Sequence, residues 1–179
     1  MKRLALTVLI LALWPLQAYA ADFLARVVGV SDGDTLTVLT AEKRQVKVRL
    51  HGIDAPETGQ DFGSRPKQAA SELAFGKPVT VREKDRDRYG RTVGEVILPD
   101  GRALGREMVQ AGYAWHYVKY APADRELAAF EAEARAAKRG LWSQPGAVPP
   151  WDWRSGKGGS AKPLPPAFRP SPTPESKGR

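Results

Sequence analysis

Five side chains between residues 34 and 91 have the types and spacing for metal or phosphate chemistry: Asp34, Arg49, Asp54, Glu57 and Arg91. Asp34 lies in Ser31-Asp32-Gly33-Asp34-Thr35; Arg49, Asp54 and Glu57 lie in Arg49-Leu50-His51-Gly52-Ile53-Asp54-Ala55-Pro56-Glu57-Thr58. A hard cation such as Ca²⁺ takes several oxygen ligands, carboxylates and backbone carbonyls among them. Asp34, Asp54 and the carbonyl of Ala55 can supply these, and Pro56 restrains the turn that points that carbonyl and Glu57 the same way. Either aspartate alone also reads as a turn residue, since Asp-Gly and Asp-x-Pro are common turn elements. An arginine fork holds two phosphate oxygens and keeps its charge, which suits a pentavalent phosphoryl transition state. Arg49 and Arg91 have that chemistry, although each alone also reads as an ordinary ion-paired residue. His51 and His116 are the only histidines, and without a Cys or Ser elbow they make no triad. Tyr113, Trp115, Tyr117 and Tyr120 serve either as core and rim or as a surface for stacking bases.

A hairpin must bring the acids together. Leu36-Thr37-Val38-Leu39-Thr40 leads away from the first acidic turn, and Gln45-Val46-Lys47-Val48-Arg49-Leu50 leads into the second. The two runs flank a polar turn at 41–44, as in an antiparallel pair. Pairing Leu36 with Leu50 and Val38 with Val48 gathers the apolar side chains on one face and sets Asp34 opposite Gly52. The carboxylates of Asp34 and Asp54 then meet at the open end. This register leaves Arg49 on the face opposite Asp34, so a bulge permitted by Gly33 or Gly52 is expected to turn one of them.

The remaining elements follow from period and punctuation. A β-type run over 23–30 completes a meander. A helix over 66–76 has Pro near its start and Gly at its end. Two further strands are expected over 79–84 and 91–98, then helices over 104–111 and 123–138, with irregular structure over 141–153. The fold class is α+β: a five-stranded OB-type Greek-key barrel with three helices.

The ends are different in kind. Met1-Lys2-Arg3, an apolar run over 4–13 and Ala18-Tyr19-Ala20 make a signal peptide over 1–20. The apolar run falls short of the roughly 20 residues that span a bilayer. The chain is expected to be exported, to a periplasm or the medium, without stable membrane association. It contains no cysteine, so its stability there owes nothing to disulfides. From Arg154 to Arg179 the composition turns to Gly, Ser, Pro and Lys and reads as a disordered tail, leaving 21–153 as one domain. Of 28 basic residues two fall in the first twenty and five in the last 25. Between them 21 basic face 19 acidic residues, so a polyanion partner is compatible with the charge and not demanded by it.

Ser-Asp-Gly-Asp-Thr (31–35), Arg-Leu-His-Gly-Ile-Asp-Ala-Pro-Glu-Thr (49–58) and Asp-Arg-Tyr-Gly-Arg (87–91), in that order, resemble the staphylococcal nuclease family. The similarity continues through Ala114-Trp115 and Arg139-Gly140-Leu141-Trp142-Ser143. It implies an OB-type barrel and a Ca²⁺-dependent nuclease, a monomer acting on DNA and RNA with single-stranded regions favoured. By position, Asp34, Asp54 and the Ala55 carbonyl would ligate Ca²⁺, with Asp32 behind them. Glu57 would orient or deprotonate the attacking water, and Arg49 and Arg91 would hold the phosphate. Arg88, Tyr89, Tyr117 and Tyr120 would bind substrate. The competing reading is an inert OB module that binds single strands or a protein partner; the presence of all five catalytic-type residues argues against it.

Overall fold

The computed structural model describes residues 22–157; the expected signal peptide and residues 158–179 of the expected tail lie outside them. Three antiparallel strands open the fold: β1 (Phe23–Val30), β2 (Thr35–Thr40) and β3 (Gln45–Leu50). The two-residue β4 (Ile53–Asp54) and helix α1 (Ser64–Ala74) precede a second hairpin of β5 (Pro78–Arg86) and β6 (Thr92–Ile97). Then come α2 (Leu104–Gln110), β7 (Trp115–His116), α3 (Arg125–Ala136), a 3₁₀ turn (Gly140–Ser143) and α4 (Pro150–Arg154). The order β1-β2-β3-β6-β5 closes into a barrel through an antiparallel β1–β5 pair, with β3 and β6 parallel. This is the expected OB-type barrel. Among the described residues no helix is long and apolar enough to cross a membrane.

Strand alternation fills the interior. Val27, Leu36, Val38, Val48, Leu50, Val79, Val81 and Val96 are all buried, as are Ala70, Ala74, Leu104, Met108, Val109 and Leu127 from the helices outside. α1 begins two residues before the expected start and ends where Phe75 turns extended and Gly76 takes a φ of 75°. α3 is capped by Asp124, whose carboxylate accepts the Leu127 N–H at 3.0 Å and so satisfies one donor of the first turn.

Three expectations need correction. The β2–β3 register is Thr35↔Arg49, Leu36↔Val48 and Val38↔Val46, two residues from the expected pairing. The cause is the turn: Thr40 pairs back to Arg44, its N–H reaching that carbonyl at 2.9 Å, and Lys43 closes the three-residue loop in the left-handed region at φ 60°. A two-residue shift keeps every side chain on its face, so the core pattern is unaffected. Asp34 now lies opposite Leu50, whose N–H donates to the Asp34 carbonyl at 2.8 Å. Second, the β2–β3 ladder carries no bulge; the irregularities fall in β1 between Val27 and Gly29 and in β5 between Glu83 and Asp85. Third, the segment expected to be irregular contains the 3₁₀ turn and a fourth helix, which runs through Arg154.

Two glycines bring the acidic turns together. Gly52, at φ 74°, reverses the chain after β3 into β4. β4 then pairs with β7, Asp54 opposite Trp115. Gly33 is a matter of space: a Cβ there would lie 2.5 Å from Pro66 Cβ and 2.7 Å from Ala55 Cβ. Both obstacles are short and rigid, so Gly33→Ala is expected to cost about 1–3 kcal/mol by overpacking. Urea unfolding checks this; an unchanged midpoint would show that the loop packs more loosely than described.

Candidate active site

The turn before β2 is fixed locally. The Asp32 carboxylate accepts the Asp34 N–H at 3.0 Å, which aims the Asp34 side chain at the mouth of the barrel. There the Asp34 carboxylate accepts the Ala55 N–H at 2.7 Å and the Thr35 hydroxyl at 3.1 Å. Asp54 arrives from β4 with its side chain only 1% exposed. Arg49, at the end of β3, spans the two: one guanidinium nitrogen pairs with Asp34 and the other donates to Asp54 Oδ1 at 2.8 Å. Its length, rather than a bulge, resolves the opposition of faces noted above.

Glu57 follows on a loop pinned by Gln60, whose side-chain carbonyl accepts the Glu57 N–H at 2.8 Å. The Gln60 amide also donates to the Val148 carbonyl at 3.0 Å, tying this loop to the chain that leads into α4. From α4 comes Arg154, which donates to Asp54 Oδ2 and to Glu57 Oε1, each at 2.6 Å. The acids and bases therefore form one file: Asp34, Arg49, Asp54, Arg154, Glu57.

Arg91 stands apart from that file. Its Nε donates to Asp87 Oδ2 at 2.6 Å, and among the described residues no hydrogen bond or ion pair joins it to Asp34, Asp54 or Glu57. β6 lies beside β3 with Val93 opposite Arg49, and alternation puts Arg91, two residues earlier, on the same face as Arg49. Asp87 also accepts the N–H groups of Tyr89 and Arg91, at 2.9 and 3.0 Å, and so holds the 87–91 turn. At its tip Tyr89 is exposed, with the Arg88 and Arg91 guanidinium carbons 4.9 and 5.6 Å from its ring centre.

The aromatic residues divide. Trp115 is buried and packs edge-on to Trp142 at 5.2 Å, so it belongs to the core. Tyr113 stacks on Phe62 at 5.9 Å. Tyr117 and the exposed Tyr120 form a rim, edge to face at 4.8 Å. Tyr117 is registered to the acids by its N–H, which reaches the Gly52 carbonyl at 2.8 Å. Neither histidine joins the site. His116 is buried with Nε2 2.8 Å from the Ala121 carbonyl. His51 is half-buried, and burial together with the Lys84 charge holds its pKa down.

Asp34, Asp54 and Glu57 are an all-oxygen donor set, which suits a hard cation. Among the described residues no three acidic or histidine side chains gather into a ready-made cage. Both aspartates instead carry guanidinium partners, so the cluster already demands positive charge. By donor chemistry and charge, the residues present fit a divalent ion.

The family model described as "Staphylococcal nuclease homologue" matches residues 47–144. The chain belongs to the staphylococcal nuclease family. An Escherichia coli O157:H7 protein named "Uncharacterized endonuclease" is 45% identical over 157 residues, covering 88% of this chain and all of the relative. A Shigella flexneri "Micrococcal nuclease" is 46% identical over 143 residues, covering 75% of this chain and 82% of the relative. A Haemophilus influenzae "Uncharacterized endonuclease" is 40% identical over 154 residues, 86% of this chain and 85% of the relative.

Gln60, Trp151 and Arg154 were not anticipated from the sequence of this nuclease-family chain. Gln60 sits in a polar loop without signal. Pro149-Pro150-Trp151-Asp152-Trp153-Arg154 does carry one, since Pro is favoured at the first helical position and Pro150 occupies it.

Burial of the Asp34 carboxyl dominates its acidity and pushes it up to about 7, against the pull of the Arg49 guanidinium and with the Asp32 charge adding to the rise. The unfolded chain titrates near ~4, so between these two values the folded protein holds a proton that the unfolded chain has released. The stability this contributes is complete below the unfolded value and is lost as pH rises through about 7. Asp34→Asn, which mimics the protonated acid, should thus gain melting temperature relative to the parent as pH rises from 5 to 8, both measured in chelator. A variant less stable at pH 8 than at pH 5, relative to parent, would mean that the ionised carboxylate supports the fold.

Proposed function

We propose that this protein is an exported, Ca²⁺-dependent nuclease that hydrolyses phosphodiester bonds of DNA and RNA, favours single-stranded regions and acts as a monomer. One observation carries the reading: a single guanidinium, Arg49, bonds two buried carboxylates at the barrel mouth with Glu57 on the adjoining loop. Asp34 and Asp54, with the Ala55 carbonyl, would hold the ion, and Asp32 keeps Asp34 aimed. Bound Ca²⁺ supplies positive charge that screens the phosphate and makes water more acidic.

The protein's own groups do the rest. Glu57, 44% exposed at the edge of the site, faces solvent and takes a proton from the water that attacks phosphorus. Arg49 at the barrel mouth and Arg91 beside the neighbouring strand would each present a guanidinium fork to the phosphate. Charge builds on the equatorial oxygens as the water–phosphorus bond forms and the bond to the leaving sugar oxygen breaks. Fixed guanidinium donors stabilise that charge more than the ground state. Arg88 and Tyr89 flank the substrate on the exposed turn, and Tyr117 and Tyr120 offer ring faces to unpaired bases. The basic start, apolar run and Ala18-Tyr19-Ala20 site at the N-terminus support export.

Replacing the fork while keeping the charge separates catalysis from binding. Arg49→Lys should bind a single-stranded oligonucleotide in Ca²⁺ with only modest loss and cleave it about 10²–10³ more slowly. Parental cleavage by that variant would contradict the assignment, and a parent without chelator-sensitive cleavage would leave a binding module.

A further inference from the structure

Helix α4 meets the site at two points. Trp151 lies face to face on Tyr117, ring centres 5.0 Å apart and planes within 11°. Arg154, three residues on and hence on the same side of the helix, spans Asp54 and Glu57. The segment before it is held by Gln60, the residue that also fixes the Glu57 loop. A guanidinium thus occupies Asp54, whose carboxylate a cation would need, and Glu57, which would take the water's proton, while an indole covers the ring face an unpaired base would need.

We propose that α4 is an intramolecular occupant of the active site, which the divalent cation and the nucleotide must displace. Arg154 stands in the cation's place and Trp151 in that of a stacked base. This rests on the nuclease reading and adds a coupling to it. Arg154 and the ion compete for Asp54, because both are cations seeking the same carboxylate lone pairs, and Arg154 also occupies Glu57 Oε1. The hold is suited to release: the Arg154 side chain is 42% exposed, so solvent screens its pairs. A helix of five residues is also marginal without its tertiary contacts. Because one helix covers both subsites, either ligand that lifts it favours the other, so ion and nucleotide bind with positive cooperativity. Apparent affinities are lowered by the fraction of molecules with α4 docked.

Calorimetric Ca²⁺ titration of the full chain tests this. Arg154→Ala should bind Ca²⁺ about tenfold more tightly than the parent. Arg154→Lys, which keeps the charge and loses the fork, should also tighten. So should Trp151→Ala, which changes no charge, because it weakens the docking of the same helix. Tightening in Arg154→Ala alone would reduce the effect to net charge and overturn the proposal. Unchanged or weaker binding in all three would do so too, while a parent that binds Ca²⁺ and cleaves would leave the nuclease reading intact. A parent that binds no Ca²⁺ would fail both.

Discussion

Two carboxylates withdrawn from water at one end of a barrel cannot stand side by side without positive charge between them. Arg49 meets that requirement by bonding Asp34 and Asp54 together. Removing Arg49 would leave two buried acids without their partner, at a cost of about 3–5 kcal/mol while they are ionised. In the proposed function, that demand for positive charge is what a divalent ion would meet. The file of alternating charge from Asp34 to Glu57 is the extension of this constraint, with Arg154 compensating the outer half.

Nearly every feature around the barrel mouth serves to hold that set in register. β3 ends with Arg49 beside Thr35, so a long side chain at a strand end reaches across the opening. Gly52 turns the chain back, and the short β4–β7 ladder fixes Asp54 opposite Trp115. Gly33 lets Ala55 and Pro66 press close against the first acidic turn, and from that contact Ala55 donates its N–H to Asp34. The core supplies rigidity, the glycines supply proximity, and a few hydrogen bonds supply aim.

Much of this was legible in the residues. Apolar alternation in Leu36, Val38, Val48 and Leu50 identified the hairpin, and the two acidic turns at its open end identified the site. The register was two residues off because periodicity is blind to even shifts; only the turn, with Lys43 in the left-handed region, decides it. The need to turn Arg49 toward Asp34 was read as a backbone bulge, when a long side chain sufficed. Trp151 and Arg154 escaped because their partners are about 34 and 100 residues away in the chain. Local composition, changing just there to Gly, Ser and Pro, pointed to a tail. Arg91 was grouped with Arg49 by motif; register places it on the same face, while its guanidinium is held by Asp87.

The proposed chemistry requires that Asp34 and Asp54 be available to a cation and that the Arg49 fork be available to phosphate. A crystal structure grown with Ca²⁺ and a thiophosphate-linked dinucleotide tests it most directly. The ion should be bound by Asp34 and Asp54, with the Arg49 guanidinium on a phosphate oxygen. An ion bound elsewhere, with the Asp34–Arg49–Asp54 bridge intact beside the nucleotide, would contradict the account.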